Sequence, residues 1–218
     1  MPHGLPNPII YLITSGEATN HTLATDRPRL SALVKAAVAA RVSLIQLREK
    51  KVSTRALYEL TKSAALLTAG SSTRLLVNDR ADIARAAGAD GVHLTTNSLA
   101  TETVRRAFGR DFLIGVSTHT LAEARAARDG GAGFAVFGPI FPTPSKEMYG
   151  EPVGLEALRA ATLALKTFPL IALGGLTERN AASALNAGAR GVAAIRALSS
   201  PEQLEETVRA MRGAARML

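Results

Sequence analysis

Residues able to grip an anion, hold a cation or move a proton recur at short, separate points along this chain. They are Gln46, Arg48, Glu49 and Lys50; Asn78, Asp79 and Arg80; Ser117, Thr118 and His119; Lys146; Gly174 and Gly175; and Arg196. Arginine suits a bidentate grip on phosphate oxygens, and lysine supplies a point charge. A carboxylate beside an amide, Asp79 after Asn78, could help hold Mg²⁺ across a diphosphate. Gly174-Gly175, with Thr177 opening a helix, offers bare backbone N–H groups to a phosphate. His119 sits in a polar loop where a near-neutral imidazole could serve proton transfer. Each group also has a plainer reading. Arg48 to Lys51 fits a solvated charge run, and Asp79-Arg80 a surface ion pair. Gly-Gly fits a tight turn, and Thr120 with Glu123 a helix-capping box.

The elements that must position these residues follow from periodicity. Apolar runs of strand length alternate with Ala/Leu/Arg stretches of helical spacing. Strands are expected at Ile9 to Ile13, Ser43 to Leu47, Arg74 to Val77, Gly91 to Leu94, Leu113 to Val116, Phe134 to Phe137, Leu170 to Leu173 and Val192 to Ile195. Helices are expected at Leu30 to Ala39, Ser53 to Ala69, Asp82 to Ala87, Ser98 to Phe108, Leu121 to Asp129, Gly154 to Lys166, Thr177 to Asn186 and Pro201 to Met211. Gly88, Gly130-Gly131 and Gly188 end helices just before strands, where glycine accepts left-handed backbone. Strict alternation predicts a parallel sheet, and eight units predict a single α/β domain, residues 1–218, folded as a (β/α)₈ TIM barrel. A doubly wound open sheet has the same periodicity and is the alternative. In a barrel the polar groups above lie at strand C-termini and in βα loops, so all of them would face one mouth. His93, within an apolar strand, reads as a buried, hydrogen-bonded histidine outside the site. The proline-bearing loop from Phe141 to Gly150 is long for a βα connection and reads as a lid.

Composition removes several classes of function. The chain has no cysteine, which excludes disulfides, thiolate nucleophiles and Cys-ligated zinc. No apolar run is long enough to span a membrane and the start lacks a signal-peptide pattern, so a soluble cytoplasmic protein is expected. The net charge of +8 comes largely from arginines scattered through helical stretches such as Ala81 to Ala87 and Thr103 to Phe108, where solvated faces explain it. Aromatics are 4% with no tryptophan, a poor supply for stacking on bases, so nucleic acid is not expected as a partner. A homo-oligomer stays open.

Taken in order, the motifs resemble those of the thiamine-phosphate synthase/TenI family. They are Gln46-Leu47-Arg48-Glu49-Lys50, Val77-Asn78-Asp79-Arg80, Gly91-Val92-His93-Leu94, Gly115-Val116-Ser117-Thr118-His119-Thr120, Phe137-Gly138-Pro139-Ile140-Phe141-Pro142-Thr143 and Gly174-Gly175. The resemblance implies a synthase that joins hydroxymethylpyrimidine diphosphate to thiazole phosphate, with Mg²⁺ assisting release of diphosphate. It implies that Gln46, Arg48, Lys50, Asn78 and Lys146 grip the pyrimidine and its diphosphate, and that Asp79 holds Mg²⁺. Ser117 would lie near the pyrimidine amine. Thr143, Ser145, Gly174, Gly175, Ile195 and Arg196 would surround the thiazole phosphate, leaving Ser117, His119 and Lys146 as the candidate catalytic groups.

Two departures bear on that expectation. Where synthases place a second acidic Mg²⁺ ligand, this chain reads Thr95-Thr96-Asn97-Ser98, with a Ser98 hydroxyl at the carboxylate position. That loop is more similar to the TenI branch, whose thiazole tautomerase would use His119 as its proton-transfer residue. The retained Gln46, Arg48, Lys50 and Asp79 favour the synthase. Arg196 stands where the family has a small residue. A non-catalytic barrel that binds thiazole phosphate is the reading outside enzymes, and a sugar-phosphate isomerase lacks an evident acid/base pair.

Overall fold

A computed structural model describes residues 5–143 and 151–213. Among these, eight strands alternate with eight α-helices: β1 Ile9–Ile13, α1 Leu23–Ala39, β2 Leu44–Leu47, α2 Thr54–Thr68, β3 Arg74–Asn78, α3 Ala81–Ala86, β4 Gly91–Leu94 and α4 Thr101–Phe108. The order continues with β5 Leu113–Thr118, α5 Leu121–Asp129, β6 Phe134–Phe137, α6 Gly154–Ala164, β7 Leu170–Leu173, α7 Ala181–Asn186, β8 Gly191–Ala194, a short 3₁₀ turn Arg196–Leu198, and α8 Leu204–Gly213. All neighbouring strands pair in parallel, and β1 closes the ring on β8 with Ile9 opposite Gly191 and Leu12 opposite Ala194. That closure decides for the TIM barrel against the open sheet.

The pleat sorts side chains into two layers, because successive residues of a strand face opposite sides. Ile10, Leu12, Ile45, Leu75, Val77, Val92, Ile114, Ala135 and Val192 pack outward against the helices. Ile9, Tyr11, Ile13, Leu44, Leu76, Leu113, Phe134, Val136, Ile171 and Ala193 fill the interior. In the interior Tyr11 meets the edge of Phe134, with ring centroids 5.6 Å apart and planes at 85°. Gly115 opens the room for this cluster: a Cβ there would lie 2.4 Å from the Phe134 ring and 2.8 Å from His93 Nδ1.

Four helix starts differ from expectation by three residues or more; that of α8 falls at Leu204 rather than Pro201. Helix α1 begins at Leu23 rather than Leu30, with Pro28 inside it. Thr25 and Asp26 already donate to Thr22 O, so the first turn forms upstream of the proline. Helix α7 begins at Ala181 rather than Thr177, because the Asn180 side chain takes the Thr177 N–H at 2.8 Å and donates back to Gly175 O at 2.8 Å. Helix α4 begins at Thr101 rather than Ser98, whose hydroxyl is engaged elsewhere. Two arginines expected on solvated faces are also structural. Arg85 donates to Phe108 O and lies 5.0 Å from the Phe112 ring, while Arg105 donates to the carbonyls of Phe112 and Gly131.

Candidate active site

A continuous row of hydrogen bonds crosses the mouth from β5 to the loop after β4. Ser117 Oγ lies 2.9 Å from His93 Nε2, and His93 Nδ1 lies 3.1 Å from the Tyr11 hydroxyl. Tyr11 donates to Gln46 Oε1 at 3.2 Å, Gln46 Nε2 donates to Asn78 Oδ1 at 2.8 Å, and Asn78 Nδ2 donates to Asp79 Oδ2 at 2.6 Å. Burial explains the pairing, since an unpaired polar group so placed costs about 1–3 kcal/mol. It also sets protonation. His93, 2% exposed, is pushed down to about 4 by burial, partly offset by the Asp79 charge, and Tyr11 is pushed well above the usual phenol range by the same cause. Both stay neutral near pH 7. His93 is thus the buried, hydrogen-bonded histidine expected from its strand, yet it reaches the site through Ser117. Tyr11 was missed altogether, because in Ile-Ile-Tyr-Leu-Ile it reads as one more apolar residue.

Asp79 anchors the row. It has a left-handed backbone, φ 60°, which aspartate tolerates better than most residues. Its N–H bonds His93 O at 2.9 Å. Its Oδ1 accepts from Thr95 Oγ1 at 3.0 Å and from Ser98 Oγ, which in turn accepts the Thr95 N–H at 2.7 Å. Two donors therefore fill Oδ1, while Oδ2 has one donor and a lone pair to spare. Among the described residues there is no cluster of three or more His, Asp or Glu able to cage a metal. The donor set fits Mg²⁺ in one way, as a single carboxylate contact to an ion otherwise held by water and phosphate oxygens, a mode Mg²⁺ commonly uses.

The charge run after β2 does not behave as one solvated stretch. Arg48 is half-buried, with its N–H on Thr14 Oγ1 at 2.8 Å and its guanidinium on Ser15 O at 3.2 Å. Glu49 is buried with one oxygen on the Ala18 N–H at 3.0 Å, while Lys50 and Lys51 are exposed. Arg80 bonds Asp82 and Thr54, so the surface ion pair is Arg80–Asp82 rather than Asp79–Arg80.

On the opposite side, Gly174 and Gly175 have φ of 101° and 64°. A Cβ on Gly174 would meet Pro139 at 2.5 Å, and one on Gly175 would meet Pro142 O at 2.6 Å, so the loop after β6 packs directly on this glycine backbone. The N-terminus of α7 lies further along than expected, and the Thr177 N–H is taken by Asn180 Oδ1. Ile195 leads into the 3₁₀ turn, and Arg196 reaches back to Thr143 Oγ1 at 3.1 Å, tying that turn to the loop after β6. His119 places Nδ1 2.5 Å from Gly138 O; a carbonyl only accepts, so Nδ1 donates there. The capping box is present as well: Thr120 Oγ1 accepts the Glu123 N–H at 3.1 Å, and Glu123 accepts the His119 N–H at 2.6 Å. Ser145, Lys146 and most of the expected lid lie outside the described residues.

The mouth thus pairs a polar sector on β2 to β5 with a glycine-backed sector on β6 to β8. The family model described as thiamine monophosphate synthase matches residues 10–198. A Geobacter sulfurreducens relative provisionally named for that activity is 46% identical over 194 residues, covering 87% of this chain and 91% of its own. The thiamine-phosphate synthase of a Roseiflexus species is 38% identical over 203 residues, covering 93% and 83%. Among solved structures, the thiamine phosphate pyrophosphorylase from Pyrococcus furiosus superposes with a TM-score of 0.77 at 28% identity, over 96% of each chain. With sequence and barrel agreeing along almost their whole length, the chain belongs to the thiamine monophosphate synthase family.

Proposed function

We propose that this chain is a thiamine-phosphate synthase, a transferase joining hydroxymethylpyrimidine diphosphate to thiazole phosphate. The observation that carries the reading is the Gln46–Asn78–Asp79 row, a pre-paired polar wall facing the glycine-backed cup across one mouth. In the reaction the pyrimidine methylene C–O bond breaks, diphosphate leaves, and the thiazole nitrogen forms the new C–N bond. Gln46 and Asn78 orient the pyrimidine. Arg48, Lys50 and Lys146 neutralise charge growing on the leaving group, which stabilises the transition state more than the ground state. Asp79 Oδ2 would hold Mg²⁺, which when bound supplies further charge neutralisation to the diphosphate. Thr143, Ser145, Gly174, Gly175, Ile195 and Arg196 hold the thiazole phosphate, and the reaction takes place in the cytoplasm.

The test is single-turnover formation of thiamine phosphate from the two substrates, with and without Mg²⁺. Mg²⁺-dependent product supports the synthase. Thiazole isomerisation that requires His119, without product, moves the assignment to the tautomerase, which the His119 ring, held by its Nδ1 on Gly138 O, favours. Tight binding of thiazole phosphate with neither activity indicates a non-catalytic barrel.

A further inference from the structure

Hydrogen-bond direction along the polar row is fixed from one end. Asp79 accepts from the Thr95 and Ser98 hydroxyls at Oδ1, and its other oxygen, Oδ2, faces Asn78 as an acceptor, so the Asn78 atom there is the amide nitrogen. Asn78 then presents its oxygen to Gln46, and Gln46 must present nitrogen to Asn78 and oxygen to Tyr11. The Tyr11 proton is committed to Gln46, which leaves its oxygen to accept from His93 Nδ1–H. A neutral imidazole protonated at Nδ1 has only a lone pair at Nε2, so the Ser117 hydroxyl must donate to it. The amide orientations follow one from the next, and the His93 ring orientation is the one that sets both of its nitrogens within hydrogen-bond distance of a partner.

We propose that Tyr11 and His93 are positioning residues that carry the polarity of the Asp79 carboxylate to Ser117, making Ser117 Oγ an obligate acceptor at the mouth. The ligand group it takes is an N–H donor such as an aromatic amine, and an oxygen acceptor at the same place meets a lone pair. Specificity at β5 is thereby set in part from β1 and β4, through Tyr11 and His93, which are given no contact with substrate. The identity of the ligand rests on the synthase reading above, whereas the direction of the row does not.

Two measurements test it. Nitrogen-15 NMR of histidine-labelled full-length protein, with the His93 signal identified by its loss in His93→Gln, reads the tautomer without any ligand. Protonation at Nδ1 is expected, and protonation at Nε2 overturns the proposal. Competition binding then compares the aminopyrimidine diphosphate with its methoxy counterpart, which accepts but cannot donate. Wild type is expected to prefer the amine by about tenfold, the scale of one unmade hydrogen bond. Tyr11→Phe removes the acceptor for Nδ1–H, so His93 should shift to Nε2–H and the preference should fall below about threefold. Equal binding of the two analogues by wild type, or an unchanged tautomer and preference in Tyr11→Phe, overturns it. Should Tyr11→Phe not fold, the wild-type tautomer and analogue preference decide alone. A wild-type protein that shows Nδ1–H but makes no thiamine phosphate overturns the function and leaves the hydrogen-bond direction standing.

Discussion

Ser98 donates its hydroxyl to Asp79 Oδ1, so a neutral side chain completes the coordination of the only carboxylate in the polar row. Ser98→Ala removes one of the two donors on that oxygen and leaves the Thr95 N–H without its acceptor. We expect a stability loss of about 1 kcal/mol by urea denaturation, the usual cost of one hydrogen bond. Ser98→Asp sets a second carboxylate against Asp79. Without Mg²⁺ the two repel and stability falls; with it, the Mg²⁺ concentration giving half-maximal product should drop several-fold. A Mg²⁺ dependence unchanged in Ser98→Asp would count against Asp79 as the metal contact.

Stability should depend on pH through His93. Its folded value of about 4 lies below the ordinary 6.5, so between these the unfolded chain binds the proton and the folded chain does not. The contribution is complete above about pH 6.5 and is lost as pH falls toward about 4, amounting to about 2 kcal/mol between pH 7 and pH 5. Denaturation curves of wild type and His93→Gln at these two pH values give the term by difference. Equal pH slopes for the two proteins would show that His93 is not held neutral.

Gly175→Ala forces a left-handed alanine and drives its Cβ to 2.6 Å from Pro142 O. A loss of about 2 kcal/mol is expected, with KM raised for thiazole phosphate and unchanged for the pyrimidine substrate. Gly109→Ala is the control: its φ is 78° but a Cβ there meets nothing within 4 Å, so it should cost about 1 kcal/mol and leave both KM values alone.

Arg196→Ala cuts the bond to Thr143 that ties the turn after β8 to the loop after β6. Calorimetry should find weaker thiazole-phosphate binding, by about two- to fivefold, since the bond is exposed and worth at most about 1 kcal/mol. Unchanged affinity would remove Arg196 from the site.

Strand positions were legible because each is a short apolar run between helical stretches, and knowing the barrel told where Gln46, Asn78, Asp79 and Ser117 must gather. Helix starts were less so: those of α1 and α7 are set by Thr22 O and by the Asn180 side chain, which no apolar period reports. The Tyr11 and His93 links were hidden because they join residues 35 and 82 positions apart. In the sequence Ser98 reads as a hydroxyl where the family places a carboxylate, and only the geometry gives it a place as a donor to Asp79. A buried tyrosine two residues from a strand end, with Gln46 two residues beyond its opposite number Leu44 in the next strand, is the signal that could have revealed the row.

The division of the mouth has a consequence for how the barrel can change. The polar row draws on β1 to β5, the first half of the chain, while the glycine-backed cup draws on β6 to β8. A substitution that reshapes the cup to admit a different phosphorylated nucleophile need not disturb any member of the row, and the reverse also holds. The two recognition problems are inherited as separate blocks of sequence, so recombination near α5 would exchange the acceptor while keeping the donor.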